Sequence, residues 1–273
     1  MKAINLLMLI AALSLSCTNK SKISVRDNLS RAESRYRIML EKLGDVQRYP
    51  RSLETNDSLK LVDSHDWTSG FFPGSLWYLY EWTRNEEWRL AAERFTEPLK
   101  PQQYNVTTHD LGFVMYCSFG NAYRLTGKRA YRDVLMQSAQ TLSSRYNPIV
   151  RCIKSWDWSD QWQYPVIIDN MMNLELLFRA AHELGDSTFY DIAVFHADRT
   201  LKNHFREDYS TWHVLDYDTT TGDVISRETF QGYSDESTWS RGQAWALYGY
   251  TMCYRETGYR RYLDRAVQIA DYI

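Results

Sequence analysis

A chain of 273 residues, 44% hydrophobic and 24% charged, is long enough for one large domain with a substantial core, which excludes a disordered, collagen-like or polytopic membrane protein. Its 32 basic and 34 acidic side chains nearly cancel and no dense Lys/Arg run occurs, so no nucleic-acid partner is expected. Aromatic content of 15%, with 10 Trp and 20 Tyr, suits stacking on sugar faces and equally suits a large helical core.

Residues 1–17, MKAINLLMLIAALSLSC, join one Lys, an apolar run from Ile4 to Leu13 and small residues before Cys17, the pattern of a secretory signal. A Cys at this place, followed by polar Thr18 to Lys22, resembles a bacterial lipoprotein signal, in which the Cys is acylated and becomes the mature N-terminus. Simple secretion with Cys17 discarded is the alternative. The expectation is export across the inner membrane, to the periplasm or to a membrane anchored by a lipid on Cys17. The other three cysteines, Cys117, Cys152 and Cys253, are widely spaced and read as free buried thiols.

From residue 18 onward the period is helical almost throughout. Residues 25–44 give an amphipathic helix. After it, 86–100, 128–145, 187–204 and 259–273 repeat one pattern, with an aromatic near the start (Trp88, Tyr131, Tyr190, Tyr262) and then Ala and apolar residues at helical spacing. Each of these is preceded by a more uniformly apolar helix: SGFFPGSLWYLYEW, DLGFVMYCSFGNAYRL, DNMMNLELLFRAAHEL and SRGQAWALYGYTMCYRE. Short turns at Arg84-Asn85, Thr126-Gly127-Lys128, Gly185-Asp186 and Thr257-Gly258 join the two kinds, so the unit is an antiparallel helical hairpin. Such units curl into an all-α ring whose inner helices line the middle. Residues 211–230, TWHVLDYDTTTGDVISRETF, alternate about a Thr/Gly/Asp turn and read as a β-hairpin insertion or long loop. The sequence stops at Ile273 inside a helix, so residues 18–273 are expected to form one barrel domain that lacks the last helices of a six-hairpin ring.

Polar residues that fit no packing role cluster where each inner helix begins: His65-Asp66-Trp67, His109-Asp110, Asp169-Asn170 and Trp239-Ser240-Arg241. In a hairpin ring these starts share one rim, so the side chains converge. Helix N-termini favour anions, and Arg241 offers a planar carboxylate partner, so the implied substrate is anionic and sugar-sized. Each of Asp66, Asp110 and Asp169 taken alone reads better as a helix N-cap, and three together, with His and Trp beside them, weaken that reading without removing it. Asp169 follows the apolar Pro165-Val166-Ile167-Ile168, which should desolvate its carboxyl, raise its pKa and equip it as a general acid. Asp110 is then a second carboxyl that tunes the first or orients substrate. His213 sits in an irregular stretch near the rim, with turn and site roles evenly balanced, whereas His182, His196 and His204 read as structural or solvated. No metal-binding or phosphate-loop motif occurs, and no cofactor is expected.

The segments Thr108-His109-Asp110-Leu111-Gly112-Phe113, Ile168-Asp169-Asn170-Met171-Met172-Asn173-Leu174 and Trp239-Ser240-Arg241-Gly242-Gln243-Ala244-Trp245-Ala246 resemble the unsaturated glucuronyl hydrolases of glycoside hydrolase family 88. Asp66-Trp67-Thr68-Ser69-Gly70-Phe71-Phe72-Pro73-Gly74 is similar to that family's first inner-helix motif. The resemblance implies an (α/α)6 barrel that removes 4,5-unsaturated uronic acid from the non-reducing end of oligosaccharides left by polysaccharide lyases, glycosaminoglycan fragments above all. It implies that Asp169 protonates C4 and activates the water that adds at C5, whereupon the hemiketal opens and the neighbouring sugar leaves. By position it assigns Asp110 to the catalytic pair and Trp67, His109, His213, Gln231, Arg241 and Trp245 to the unsaturated sugar. The rival readings are an unsaturated rhamnogalacturonyl hydrolase acting on pectin fragments and a non-catalytic glycan-binding lipoprotein.

Overall fold

A computed structural model describes residues 24–273; the signal read over residues 1–17, Cys17 included, lies outside them. The chain divides into two units, Met1–Val46 and Gln47–Ile273. In the first, helix α1 (Val25–Leu43) starts where Ser24 Oγ accepts the Asp27 N–H and ends at Gly44, whose φ of 50° stops the helical ladder. Among the described residues no helix is long and apolar enough to cross a membrane.

The second unit opens with an antiparallel hairpin, β1 (Tyr49–Leu53) and β2 (Leu59–Val62). Helical hairpins follow. The first pairs α2 (Phe71–Thr83) with α3 (Glu86–Thr96). In the second, a wide π-helical stretch (Gly112–Gly120) runs into α4 (Asn121–Thr126) and then turns back as α5 (Arg129–Ser143). A 3-10 turn (Ile168–Met172) leads into α6 (Leu174–Leu184), which pairs with α7 (Ser187–Asn203), and α8 (Ser240–Thr257) pairs with α9 (Arg260–Tyr272). Each inner helix packs on its own outer helix and beside the next inner one, the wall of an α/α barrel.

One turn geometry repeats in all four hairpins. The inner helix ends on a left-handed residue, Arg84, Gly127, Gly185 or Gly258, with φ of 56, 67, 67 and 70°, and the next residue is already the N-cap of the outer helix. Asn85 and Asp186 cap through their side chains, accepting from Glu87 N and Thr188 N. The outer helix read as 86–100 leaves α geometry at Thr96, because Pro98 and Pro101 supply no N–H, and it tightens into a 3-10 stretch over Glu97–Tyr104.

Hairpins are held by aromatic packing: Trp77, Trp88 and Phe95 are fully buried, Phe72 meets Phe95 edge-on at 4.8 Å, and the Trp77 indole donates to Thr96 Oγ1 at 2.9 Å. Each such ring is worth roughly 2–3 kcal/mol of hydrophobic stabilisation. Cys117, Cys152 and Cys253 are free thiols, the last two buried. His196 and His204 are buried and held neutral by that burial, each ring bonded to the backbone, at Ile153 N and Val166 O, while His182 is exposed.

After a short antiparallel pair, β3 (Tyr146–Asn147) and β4 (Cys152–Ile153), the expected β-hairpin is present as β6 (Val214–Tyr217) and β7 (Val224–Glu228). It does not stand alone. Pro165–Ile167, read from sequence only as an apolar approach to Asp169, forms β5 and pairs antiparallel with β6, so a three-stranded sheet ends directly at the start of the third inner helix. Its strands bury Val166, Leu215 and Tyr217 in a cluster with Tyr164, and Asp216 accepts from Tyr164 N at 2.7 Å to fix the register.

Candidate active site

Two glycines let the inner helices approach closely at this end. A Cβ on Gly70 would lie 2.3 Å from Val114 O, and one on Gly112 would lie 2.4 Å from Asn173 Cα. Where Gly112 meets Asn173, the Asn173 amide oxygen accepts the Phe113 N–H at 3.0 Å and satisfies an orphan donor of the π-helical first turn. The starts of the first three inner helices are thereby drawn together.

The sheet register brings in the histidine. Ile167 pairs with Val214, Ile168 N donates to His213 O at 3.1 Å, and one residue further on Asp169 Oδ2 lies 3.7 Å from His213 Nε2. His213 Nδ1 accepts two backbone N–H groups, from Phe230 at 2.9 Å and Gln231 at 3.1 Å. Those bonds need the Nδ1 lone pair, which leaves the proton of the neutral ring on Nε2, facing Asp169. Burial, reinforced by neighbouring His204 and Arg241, pushes the His213 pKa down to about 3 and keeps the ring neutral.

The two carboxyls have opposite surroundings. Asp169 is 6% exposed and its Oδ2 accepts no hydrogen bond; burial raises its pKa to about 6, with His109 and Arg241 opposing that rise and the charge of Asp110 adding to it. Burial also works to raise Asp110, but His109 Nε2 at 3.3 Å and the Thr108 hydroxyl at 2.5 Å hold it below the ordinary value, aided by the charge of Arg145. Neither Asp110 nor Asp169 caps its helix, so the capping alternative falls for both. Asp66 does serve its turn, accepting from Thr68 N and pairing with Arg51 at 2.5 Å.

A cavity of about 580 Å³ opens over these groups, a volume in the range that holds small ligands, and Trp67, His109, Asp110, Asp169 and Gln231 line it. Three predicted residues do not form its lining. His213 stands beside Asp169 as described. Arg241 is exposed, donates to Gln231 Oε1 and lies over the rings of Trp67 at 5.3 Å and Trp239 at 4.6 Å. Among the described residues it has no carboxylate partner. Trp245 is one ring removed, packed at 5.3 Å on Phe113, which in turn meets Trp67 at 5.5 Å.

Sequence reasoning missed one wall of the cavity, formed by Trp156, Trp158 and Phe230. Trp156 and Trp158 stack at 5.1 Å and 25°, and Phe230 packs against both. The available signal was Lys154–Tyr164, KSWDWSDQWQY, an aromatic stretch too long for a hairpin turn and without helical period. A second cavity, of about 270 Å³, is lined by charges already neutralised within the fold, as in Arg124 with Glu81 and Glu175 with Arg255. Among the described residues no three His, Cys, Asp or Glu side chains converge to hold a metal ion.

No protein-family model matches the chain. It is 45% identical over 250 residues to an unsaturated glucuronyl hydrolase of Formosa agariphila, covering 90% of this chain and 62% of that protein. It is 32% identical over 240 residues to an unsaturated chondroitin disaccharide hydrolase of Streptococcus agalactiae, covering 86% and 60%. The crystal structure of an unsaturated glucuronyl hydrolase specific for heparin superposes with a TM-score of 0.85 at 46% identity, covering 90% of this chain and 67% of that one. The chain thus spans about three fifths of the length of these curated relatives.

Proposed function

The chain belongs to the unsaturated glucuronyl hydrolases of glycoside hydrolase family 88, and from that premise we propose that it removes 4,5-unsaturated uronic acid from the non-reducing end of lyase-generated glycosaminoglycan oligosaccharides by hydrating the C4=C5 bond. The observation that carries this reading is the pair of carboxyls whose surroundings push them apart in one cavity, Asp169 raised to about 6 by burial and Asp110 held low by His109 and Thr108.

The enol ether of such a sugar is protonated at C4, and Asp169 is the group with a proton to give. The positive charge that develops at C5 is shared with the ring oxygen and faces the fixed negative charge of Asp110. Water then adds at C5 and returns one proton to the Asp169 carboxylate, so one water is consumed and the acid is regenerated. The His213 Nε2–H supports that carboxylate while its proton is away. The C5 hemiketal opens, the glycosidic carbon becomes an aldehyde, and the neighbouring sugar departs as an alcohol. Because the bond breaks after hydration and not by displacement at the anomeric carbon, the spacing of the two carboxyls carries no stereochemical meaning. Arg241 engages the uronate carboxylate, while Trp67, His109, Gln231 and the Trp156 wall hold the sugar faces and edges.

Unsaturated disaccharides from hyaluronan, chondroitin and heparin digests, supplied to the chain, are expected to lose their ultraviolet absorbance as free amino sugar is released. Turnover confined to rhamnogalacturonan-derived disaccharides would move the assignment to pectin fragments, and no loss on any of them would defeat it. A glycan-binding protein without catalysis is the weaker reading, since binding alone gives no reason to raise one carboxyl by burial beside another held low.

The pattern of residues 1–17 supports export with a lipid on Cys17. Produced in a bacterial host, the protein is expected in the membrane fraction, with Cys17→Ser shifting it to the soluble one; a wild-type protein that fractionates as soluble counts against the anchor.

A further inference from the structure

Arg145 follows the outer helix α5, outside the cavity, yet its side chain is only 5% exposed and it bonds to two segments that carry the site. The guanidinium Nη1 donates to Val106 O, in the irregular stretch leading to His109-Asp110, and to Asp157 Oδ2 at 2.6 Å, between Trp156 and Trp158. Its Nε donates to Lys154 O at 2.9 Å, and its own carbonyl accepts Lys154 N at 3.0 Å and the Tyr164 hydroxyl at 2.7 Å. Lys154 Nζ holds the other oxygen of Asp157 at 2.9 Å. The two segments also meet directly, at the Thr108–Trp156 bridge and through His109 N to Ser155 O at 3.0 Å. Arg145 is a second fastening, common to both segments.

We propose that Arg145 is a positioning residue for substrate binding: it clasps the Trp156–Trp158 wall to the segment bearing His109 and Asp110 and so sets the width of the cavity. The inference rests on the function proposed above. A planar fork with several fixed donors is suited to this, because it restrains direction as well as distance, which a lysine ammonium cannot do. Its buried charge also acts on Asp110, whose ionised form it favours. Neither Arg145 nor Lys154 lines the cavity, so each reaches the substrate only through the wall it holds.

The test separates this inference from the reading beneath it by measuring binding as well as turnover. In an Asp169→Asn background, the affinity for an unsaturated disaccharide is followed by tryptophan fluorescence; in the otherwise wild-type chain, KM and kcat are followed by absorbance. Arg145→Lys is expected to weaken binding and raise KM on the order of tenfold with kcat changed far less, and Arg145→Met to do so more strongly. Asp157→Asn, at a half-exposed and near-isosteric position that should fold normally, is expected to give the same direction of change. Combined with Arg145→Lys it should add little, since one clasp is being broken twice. Variants that melt earlier but keep wild-type affinity and KM would reduce Arg145 to an ordinary structural residue and overturn the inference. Additive effects of the two substitutions would overturn it too, by showing that Asp157 touches substrate independently. A wild-type chain that neither binds nor turns over any unsaturated disaccharide defeats the functional reading itself, a result distinct from both.

Discussion

Asp169→Asn is expected to lower kcat by about a thousandfold while leaving disaccharide binding nearly intact, within the range general acids contribute. The amide keeps the size of the carboxyl but has no proton to deliver to C4. The same logic sets the pH dependence of the unsubstituted chain. The acid works while protonated, so kcat/KM should fall as pH rises through about 6, the value to which burial lifts this group. An Asn variant within tenfold of wild type would sink the mechanism, and a rate that climbs through that pH would reverse the assigned role.

The stability of the Asn variant should move opposite to its activity. The folded-state pKa of Asp169 is raised above its unfolded value, so the native state holds a proton that the unfolded chain releases. That contribution is complete below about pH 4 and is lost as pH rises through about 6, above which the buried carboxylate is ionised at a cost. The gap between the ordinary 3.8 and about 6 corresponds to about 3 kcal/mol. Asp169→Asn should therefore melt higher than wild type at pH 7.5 and at nearly the same temperature at pH 4. Equal melting temperatures at both values would mean that the carboxyl is not held in an apolar setting. Loss of activity with gain of stability is the signature of a group kept for its chemistry.

The second large effect concerns backbone approach. Gly112→Ala is expected to destabilise the chain by about 3 kcal/mol or more, since its Cβ would sit 2.4 Å from Asn173 Cα, a backbone atom that no rotamer change can move. For a chain of this size that corresponds to a melting temperature lower by roughly 10 °C. Activity should fall further than stability alone explains, because the clash pushes the segment carrying Asp110 away from the one carrying Asp169. Gly127→Ala is the comparison: its φ of +67° penalises alanine by about 1 kcal/mol, yet nothing lies within 4 Å of the added atom. If Gly112→Ala melts within about 2 °C of wild type, the close approach does not control the site.

Much of this was legible in the amino-acid order. Helical period, the glycine stops at Gly127, Gly185 and Gly258, and the aromatic at the start of each outer helix are local properties, and they suffice for a hairpin repeat. The placing of His109-Asp110 and Asp169 at inner-helix starts was local too, as was the apolar approach that raises Asp169, because desolvation follows from immediate neighbours in the chain.

What the tertiary structure decided was everything that depends on register between distant segments. Nothing in Pro165-Val166-Ile167 announces a strand, since three apolar residues have no usable period; its partner at Val214–Tyr217 makes it one. That pairing sets His213 beside Asp169, and the two N–H groups of Phe230 and Gln231 choose which ring nitrogen faces the acid. The Trp156–Trp158 wall and the Arg145 clasp were equally hidden, because an aromatic loop and an arginine after a helix gain meaning only from what lies across from them. Residue types and local order determine which elements form and which groups can carry chemistry; long-range hydrogen bonding and close backbone contact, which no local pattern encodes, decide the distances at which those groups act.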